Sequence, residues 1–180
     1  TDTLADTFTE ILLQSAFIAR ADLHPESEAL IRVELQAVGR ILARGGRPPK
    51  TLIAFDAHPG NYLRDDDGRA VLVDLEKARY GAPAFDLAHA SLYTSTTWDV
   101  ASQAVLTHAD VASFHGAWLA AVPDALASAT SPWLLPLRRM MWLWSVTWCT
   151  KWKVQSREAA GQAGPGENWS AELSTDALVA

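Results

Sequence analysis

One segment near the middle of this chain restricts its fold more than any other. Asn61-Tyr62-Leu63-Arg64 and Ala70-Val71-Leu72-Val73 flank Asp67-Gly68. Two short β-prone runs around an Asp-Gly dipeptide form a hairpin signal. Just upstream, Thr51-Leu52-Ile53-Ala54-Phe55 is a short apolar run that opens into a polar loop, Asp56 to Gly60. Any fold for this chain has to hold this small β element among helices, because the remaining patterning is helical.

Residues 3–19 place Leu4, Phe8, Ile11, Leu12 and Ala16 at helical spacing, which predicts an amphipathic helix. A second helix starts near Pro25, a favoured first-turn residue, and carries Ile31, Leu35, Val38 and Leu42 on one face. Gly45-Gly46 and Pro48-Pro49 stop it. Beyond Gly81, helix starts are expected at Pro83, Asp99, Asp110 and Ser131-Pro132, the last opening a long helix to about Gln155. Residues 156–167 are rich in Gly, Ala and Ser and read as a mobile loop. No internal repeat and no second domain is visible, so 1–180 reads as a single domain. The fold class is α+β, mainly helical, with a small central β-hairpin.

Composition narrows the function. With 180 residues, 49% of them hydrophobic, the chain has the material for one real core. Fifteen basic against 21 acidic residues give a net charge of −6. A nucleic-acid backbone binder needs clustered Lys and Arg, and only Arg138-Arg139 and the Lys151/Lys153 pair come close, so nucleic acid is excluded as a partner. The single cysteine, Cys149, forbids an internal disulfide, and its Trp and Val neighbours mark it as a buried reduced thiol. The most apolar stretch, Met140 to Cys149, is too short to span a bilayer. With no signal or transit peptide, a soluble, cytoplasmic protein without a membrane partner is expected. The chain begins at Thr1 without Met and ends at Leu178-Val179-Ala180 in a helical pattern, so both ends read as truncated.

The chemistry centres on the hairpin. With Asp67-Gly68 as a two-residue turn, the facing pairs are Arg64 with Val71, Leu63 with Leu72, and Asn61 with Asp74. Facing side chains share one side of a hairpin with Cβ atoms about 5 Å apart. The Asn61 amide and the Asp74 carboxylate then converge, two hard oxygen ligands suited to Mg²⁺. Glu76 points to the same side if the strand continues, as a further ligand. Asp56, five residues before Asn61, lies beside this pair and can accept a proton from a hydroxyl attacking a metal-held phosphate. Singly, each of these residues is an ordinary turn or cap residue; their joint spacing carries the reading.

Phe55-Asp56-Ala57-His58-Pro59-Gly60-Asn61 resembles the catalytic loop, near H-G-D-L-H-P-G-N, of aminoglycoside phosphotransferases and their choline-kinase-like relatives. Val73-Asp74-Leu75-Glu76 is similar to that family's metal-binding segment. Tyr80-Gly81-Ala82-Pro83-Ala84-Phe85-Asp86-Leu87-Ala88 is similar to its G-D-P-x-x-D-L-A stretch. The match is tight over residues 52–90 and architectural elsewhere. Three motifs in order are far more specific than one. The resemblance implies a protein-kinase-like C-terminal catalytic lobe using ATP and Mg²⁺ to phosphorylate a hydroxyl of a small-molecule acceptor. It implies Asp56 as catalytic base, Asn61 and Asp74 as Mg²⁺ ligands joined by Glu76, and Asp86 as a structural acceptor of backbone N–H groups.

Two residues depart from the family pattern. Ala54 stands where the family has a bracing His, and Phe55 where it has Gly. No residue of Thr1 to Lys50 forms a Gly-rich phosphate loop or a strand lysine. The N-terminal lobe is therefore expected to be absent, a missing partner without which the fragment is inactive, and no nucleotide-binding residue is identified. Three further features remain open. His58 serves either phosphate or its own tight turn, with the turn preferred, and His89 reads as a packed helix residue. Trp144, Trp148 and Trp152 form a stripe at spacing four, either core or a wall that stacks on a sugar or cages an ammonium group. Two rival functions stand beside the kinase: a non-catalytic, pseudokinase-type binding module, and a metallohydrolase using Asp56-x-His58 with Asn61 and Asp74, which needs further His ligands although His24, His89, His108 and His115 show no metal-ligand spacing.

Overall fold

The computed structural model describes residues 2–43, 45–98 and 103–160. Helix α1 spans Thr3–Ser15, capped by the Asp2 side chain accepting from the Ala5 N–H, and a 3₁₀ turn follows at Ile18–Arg20. Helix α2 runs Pro25–Ala43, with Ile31 and Val38 buried as their spacing predicts. Then come β1 (Thr51–Ile53), a 3₁₀ turn (Pro59–Asn61), β2 (Tyr62–Arg64), β3 (Ala70–Leu72) and β4 (Arg79–Gly81). The rest is helical: α3 (Pro83–His89), α4 (Tyr93–Thr96), α5 (His108–Ala121), α6 (Asp124–Thr130) and, after a 3₁₀ turn at Ser131–Trp133, α7 (Leu134–Ala160).

The predicted start at Asp110 lies inside α5. Thr107 caps that helix, and Asp110 closes a capping box onto the Thr107 N–H, so the acidic residue marks the third helical position rather than the first. The start expected at Asp99 lies outside the described residues. Residues 156–160, expected as loop, continue α7, and the remainder of that expected loop lies outside the described residues.

The expected hairpin is present as β2 and β3, and a second two-stranded antiparallel sheet stands beside it. β1 pairs with β4, a strand with no signal of its own, in the register Thr51 opposite Gly81 and Ile53 opposite Arg79. β2 pairs with β3, but Tyr62 faces Leu72 and Leu63 faces Val71. The register expected from a two-residue turn is therefore off by one. The Gly68 N–H donates to the Asp65 carbonyl (2.9 Å), the Asp65 N–H donates to the Arg69 carbonyl (3.0 Å), and Gly68 takes φ +81°. This is a three-residue loop ending in a left-handed glycine, which inserts one residue more than the tight turn.

Helix α7 is the axis of the core. α1, α2, α3 and α4 all pack on it, burying Leu4, Ile11, Val38, Phe85, Leu137, Met141 and Leu143. Side chains of α7 also tie it to its neighbours. Arg139 makes a two-point contact with Glu34 of α2 (2.8 and 2.9 Å), and the buried Thr147 hydroxyl donates to Gln14 of α1 at 2.8 Å. Arg138 reaches the Ser91 carbonyl and hydroxyl beyond α3. The consequence for function is positional: α3 and α7 form a rigid wall, and the loop leading from β1 to β2 rests against it. Among the described residues, no helix is long and apolar enough to cross a membrane.

Candidate active site

The loop between β1 and β2 is held from several sides. The Ala54 and Phe55 N–H groups each donate to one oxygen of the Asp86 carboxylate at 2.8 Å. Asp86 sits in the first turn of α3, so the helix on the wall anchors the loop directly. Burial pushes the Asp86 carboxyl above its usual range, and the two N–H donors and Arg79 oppose that push.

Phe55 adopts φ +62°. A left-handed conformation costs a residue with a Cβ about 1–2 kcal/mol, which is why glycine is the ordinary occupant of such a position. Here the side chain offsets that cost. The ring is 3% exposed and meets Phe85 and Trp144 edge-on at 5.9 and 5.6 Å, and the Arg79 guanidinium lies over it at 3.2 Å from the centroid. Full burial of a Phe side chain contributes roughly 1.5–3 kcal/mol, so packing at least matches the backbone strain.

His89, at the end of α3, supplies a further brace. Its Nδ1 lies 3.2 Å from the Phe55 carbonyl. A carbonyl only accepts, so Nδ1 carries the proton. Burial lowers the His89 pKa to about 4, with the Asp56 carboxylate opposing and His58 and Lys77 adding to the fall. The ring is neutral near neutral pH, and its 3.8 Å approach to Asp56 Oδ1 is a contact of a neutral imidazole rather than an ion pair. The sequence reading of His89 as a packed helix residue holds for its burial and misses this position against the loop.

Downstream, His58 caps the 3₁₀ turn by accepting the Gly60 N–H on Nδ1 at 3.1 Å, the turn role preferred from sequence. A Cβ on residue 60 would lie 2.9 Å from the His58 ring, so the cap needs glycine there. Asn61 is 8% exposed, and its Nδ2 donates to the Asp56 carbonyl at 2.9 Å. The predicted base and the first predicted ligand are thus locked together through the backbone of one and the side chain of the other.

The other two predicted ligands stand differently. The Val73 N–H donates to the Asn61 carbonyl at 2.8 Å, so Val73, and not Asp74, continues the ladder opposite Asn61. Asp74 follows at φ +57° beyond the end of β3, where strand alternation no longer sets its direction. Glu76 lies in a turn closed by the Ala78 N–H on the Leu75 carbonyl (3.0 Å), not in a continuing strand. Both are exposed, and neither side chain makes a hydrogen bond or ion pair with another described residue. The facing-pair and strand-continuation arguments therefore fail for them, because both assumed a tighter turn and a longer strand.

Among the described residues, no group of three or more His, Cys, Asp or Glu side chains is arranged to hold a metal ion. A site that keeps most of its shell for water and phosphate needs fewer protein ligands. Asn61, with its Nδ2 engaged, has an amide oxygen to offer, and Asp74 has an unpaired carboxylate. That donor chemistry fits a hard divalent cation.

The Asp56 carboxylate is 16% exposed. Lys77 Nζ lies 2.5 Å from its Oδ2; among the described residues its Oδ1 has only the distant His89 ring, at 3.8 Å. Asp56 opens on a cleft of about 190 Å³ walled by Trp98, Trp144, Trp148, Ser95 and Ser145. The tryptophan stripe divides along its length. Trp144 is 8% exposed and packs on Phe55 and His89, whereas Trp148 meets Trp98 edge-on at 5.5 Å on the cleft wall. Trp152 stacks on Trp148 at 6.4 Å. Cys149 also faces the cleft, its thiol pushed up to about 11 by burial and so uncharged. Lys77, Trp98, Thr94 and Ser95 carried no signal in the sequence, since nothing local announces which helix ends meet across a cleft.

No curated protein and no solved structure shows significant similarity to the chain. A family model described as "Phosphotransferase enzyme family" matches residues 6–122, more than half of the chain and a span that holds Asp56, Asn61, Asp74, Glu76 and Asp86. The chain therefore belongs to the phosphotransferase enzyme family.

Proposed function

We propose that this chain is the catalytic, C-terminal lobe of an ATP- and Mg²⁺-dependent kinase that phosphorylates a hydroxyl of a small molecule. One observation carries the reading: a loop braced by Asp86, His89 and its own aromatic core presents the Asp56 carboxylate at the mouth of a cleft, with Oδ1 unbonded by any described residue. An acceptor hydroxyl in that cleft gives its proton to Oδ1. Its oxygen forms the new bond to the γ-phosphorus as the bond to the bridging oxygen breaks and ADP leaves. Braces of this kind matter because a misplacement of about 1 Å costs a reaction of this type roughly 100-fold. Asn61 and Asp74, with Glu76 nearby, would hold Mg²⁺, which supplies charge neutralisation for the phosphate oxygens when bound. Lys77 moves off Asp56 or shares it as the acceptor arrives.

The test is Asp56→Asn in the full-length polypeptide. Transfer is expected to fall by 10²–10⁴-fold or more, while Mg-ATP affinity stays within about twofold. Unchanged turnover removes Asp56 from the chemistry. The 180-residue chain by itself is expected to bind Mg-ATP weakly, since the resemblance puts the phosphate-gripping loop and strand lysine in a separate N-terminal lobe.

A second reading, a non-catalytic binding module, draws on the Lys77 ammonium already seated on Asp56 and on Ala54 in place of the bracing His. It predicts no phosphorylated product from the full-length polypeptide with any acceptor, and Asp56→Asn then changes nothing but binding.

A further inference from the structure

Two buried polar atoms on the wall of the cleft have no partner among the described residues. Trp144 Nε1 and Ser95 Oγ are both enclosed, and neither makes a hydrogen bond with another described residue. Trp144 is 8% and Ser95 6% exposed, and both residues line the cleft that opens on Asp56. A buried donor left unmade costs about 1–3 kcal/mol, so two on one wall call for a reason. The neighbouring hydroxyls, Thr94 Oγ1 and Ser145 Oγ, bond each other at 2.7 Å and neither bonds Trp144 Nε1 or Ser95 Oγ.

We propose that the acceptor is a neutral, polyhydroxylated molecule of sugar or polyol type, whose oxygen lone pairs meet the Ser95 and Trp144 wall, rather than an ammonium compound. The inference rests on the acceptor reading of this cleft. The indole N–H is a donor only, and an ammonium group has no lone pair to offer it. Charge points the same way. Among the described residues lining the cleft, Asp56 is the one carboxylate, and Lys77 Nζ already occupies its Oδ2 at 2.5 Å. A cationic acceptor would have to displace that ammonium or share one carboxylate with it. His89 is neutral and Cys149 uncharged at neutral pH, so neither alters the balance. Trp98 and Trp148, which line the cleft, suit a sugar ring and a cation equally, and so do not decide between them.

The experiment needs no nucleotide and uses the 180-residue chain. Glucose and glucosamine, nearly identical in shape and different in charge when the amine is protonated, are titrated while tryptophan fluorescence and ligand-detected NMR report binding. Glucose is expected to bind at least about tenfold more tightly than glucosamine. Lys77→Met is expected to narrow or reverse that preference by unpairing Asp56. Ser95→Ala, a small change that preserves packing, is expected to weaken glucose about threefold to tenfold and leave the thermal midpoint in place. Equal or tighter binding of glucosamine to the unmodified chain overturns the proposal, and so does no saturation by glucose up to tens of millimolar. The phosphotransfer reading fails separately: saturable glucose binding without transfer from ATP in the full-length polypeptide defeats that reading and leaves the cleft chemistry standing.

Discussion

The loop carrying Asp56 and the segment carrying Asp74 and Glu76 flank the β2–β3 hairpin and are built on opposite principles. Residues 54–61 are buried or half-buried apart from Gly60, and each backbone turn is met by a specific partner: Asp86 for two N–H groups, His89 for a carbonyl, His58 for the Gly60 N–H, and Asn61 for the Asp56 carbonyl. Residues 73–77 are half-buried at Val73 and exposed from Asp74 onward, held by one ladder bond, one turn bond and the Lys77 contact to Asp56. The contrast teaches how such a site divides its work. A proton acceptor has to be positioned before substrate arrives, because its contribution depends on geometry. Cation ligands gain their order when the ion binds, so the protein need not stabilise them beforehand.

That comparison can be broken at several points. The largest effect is expected at the buried ring. Phe55→Ala should cost about 3–5 kcal/mol, read from the urea midpoint. Phe55→Gly should be less damaging than Phe55→Ala by about 1 kcal/mol, because glycine accepts φ +62° without strain. If alanine proves the more stable of the two, the left-handed turn is not the source of the cost.

Next comes Asp86→Ala, which strands the Ala54 and Phe55 N–H groups. A loss of about 2–4 kcal/mol is expected, with accelerated amide exchange at residues 54 and 55. Exchange unchanged at those two amides would show that another acceptor holds them.

His89 gives a pH signature. Its folded pKa, about 4, lies below the ordinary 6.5, so between these values the unfolded chain binds more protons than the folded one. Its contribution is complete above pH 6.5 and is lost as pH falls toward 4, about 3 kcal/mol at most at roughly 1.4 kcal/mol per pH unit. Denaturation midpoints across this window should fall in the unmodified chain, and His89→Gln should flatten that part of the curve. A curve identical in the variant would assign the loss to other groups.

The smallest effect belongs to the exposed segment. Asp74→Ala should change stability by no more than about 0.5–1 kcal/mol, since an exposed aspartate at positive φ has only its own turn to lose. A loss as large as that of Asp86→Ala would erase the distinction between the two regions.

Much of this was legible in the chain. Pro25, Pro83 and Ser131-Pro132 marked helix starts or the turns leading into them because proline acts within its own turn. His58-Pro59-Gly60 announced a tight turn, and the motif resemblance led to the family. The hairpin was foreseen and its register was not. Asp67-Gly68 is compatible with a two-residue turn and equally with a three-residue loop in which glycine takes the left-handed position, and the flanking residues do not discriminate. β4 was missed because Arg79-Tyr80-Gly81 is too short and too exposed to carry an alternating pattern, and it becomes a strand only by pairing with β1.

By itself the sequence determined the local grammar: which stretches are helical, where they begin, and that Asp56, His58 and Asn61 share one short loop. Only the tertiary structure decided that α3 and α7 form the wall against which that loop rests. It also decided that Lys77, His89, Trp98 and Trp148 meet around Asp56, and that a phenylalanine can occupy a position fit for glycine. The physical reason is range. Caps, turns and periodicity act over three or four residues, whereas the groups that hold and surround this carboxylate come from segments tens of residues apart, brought together by burial against one central helix.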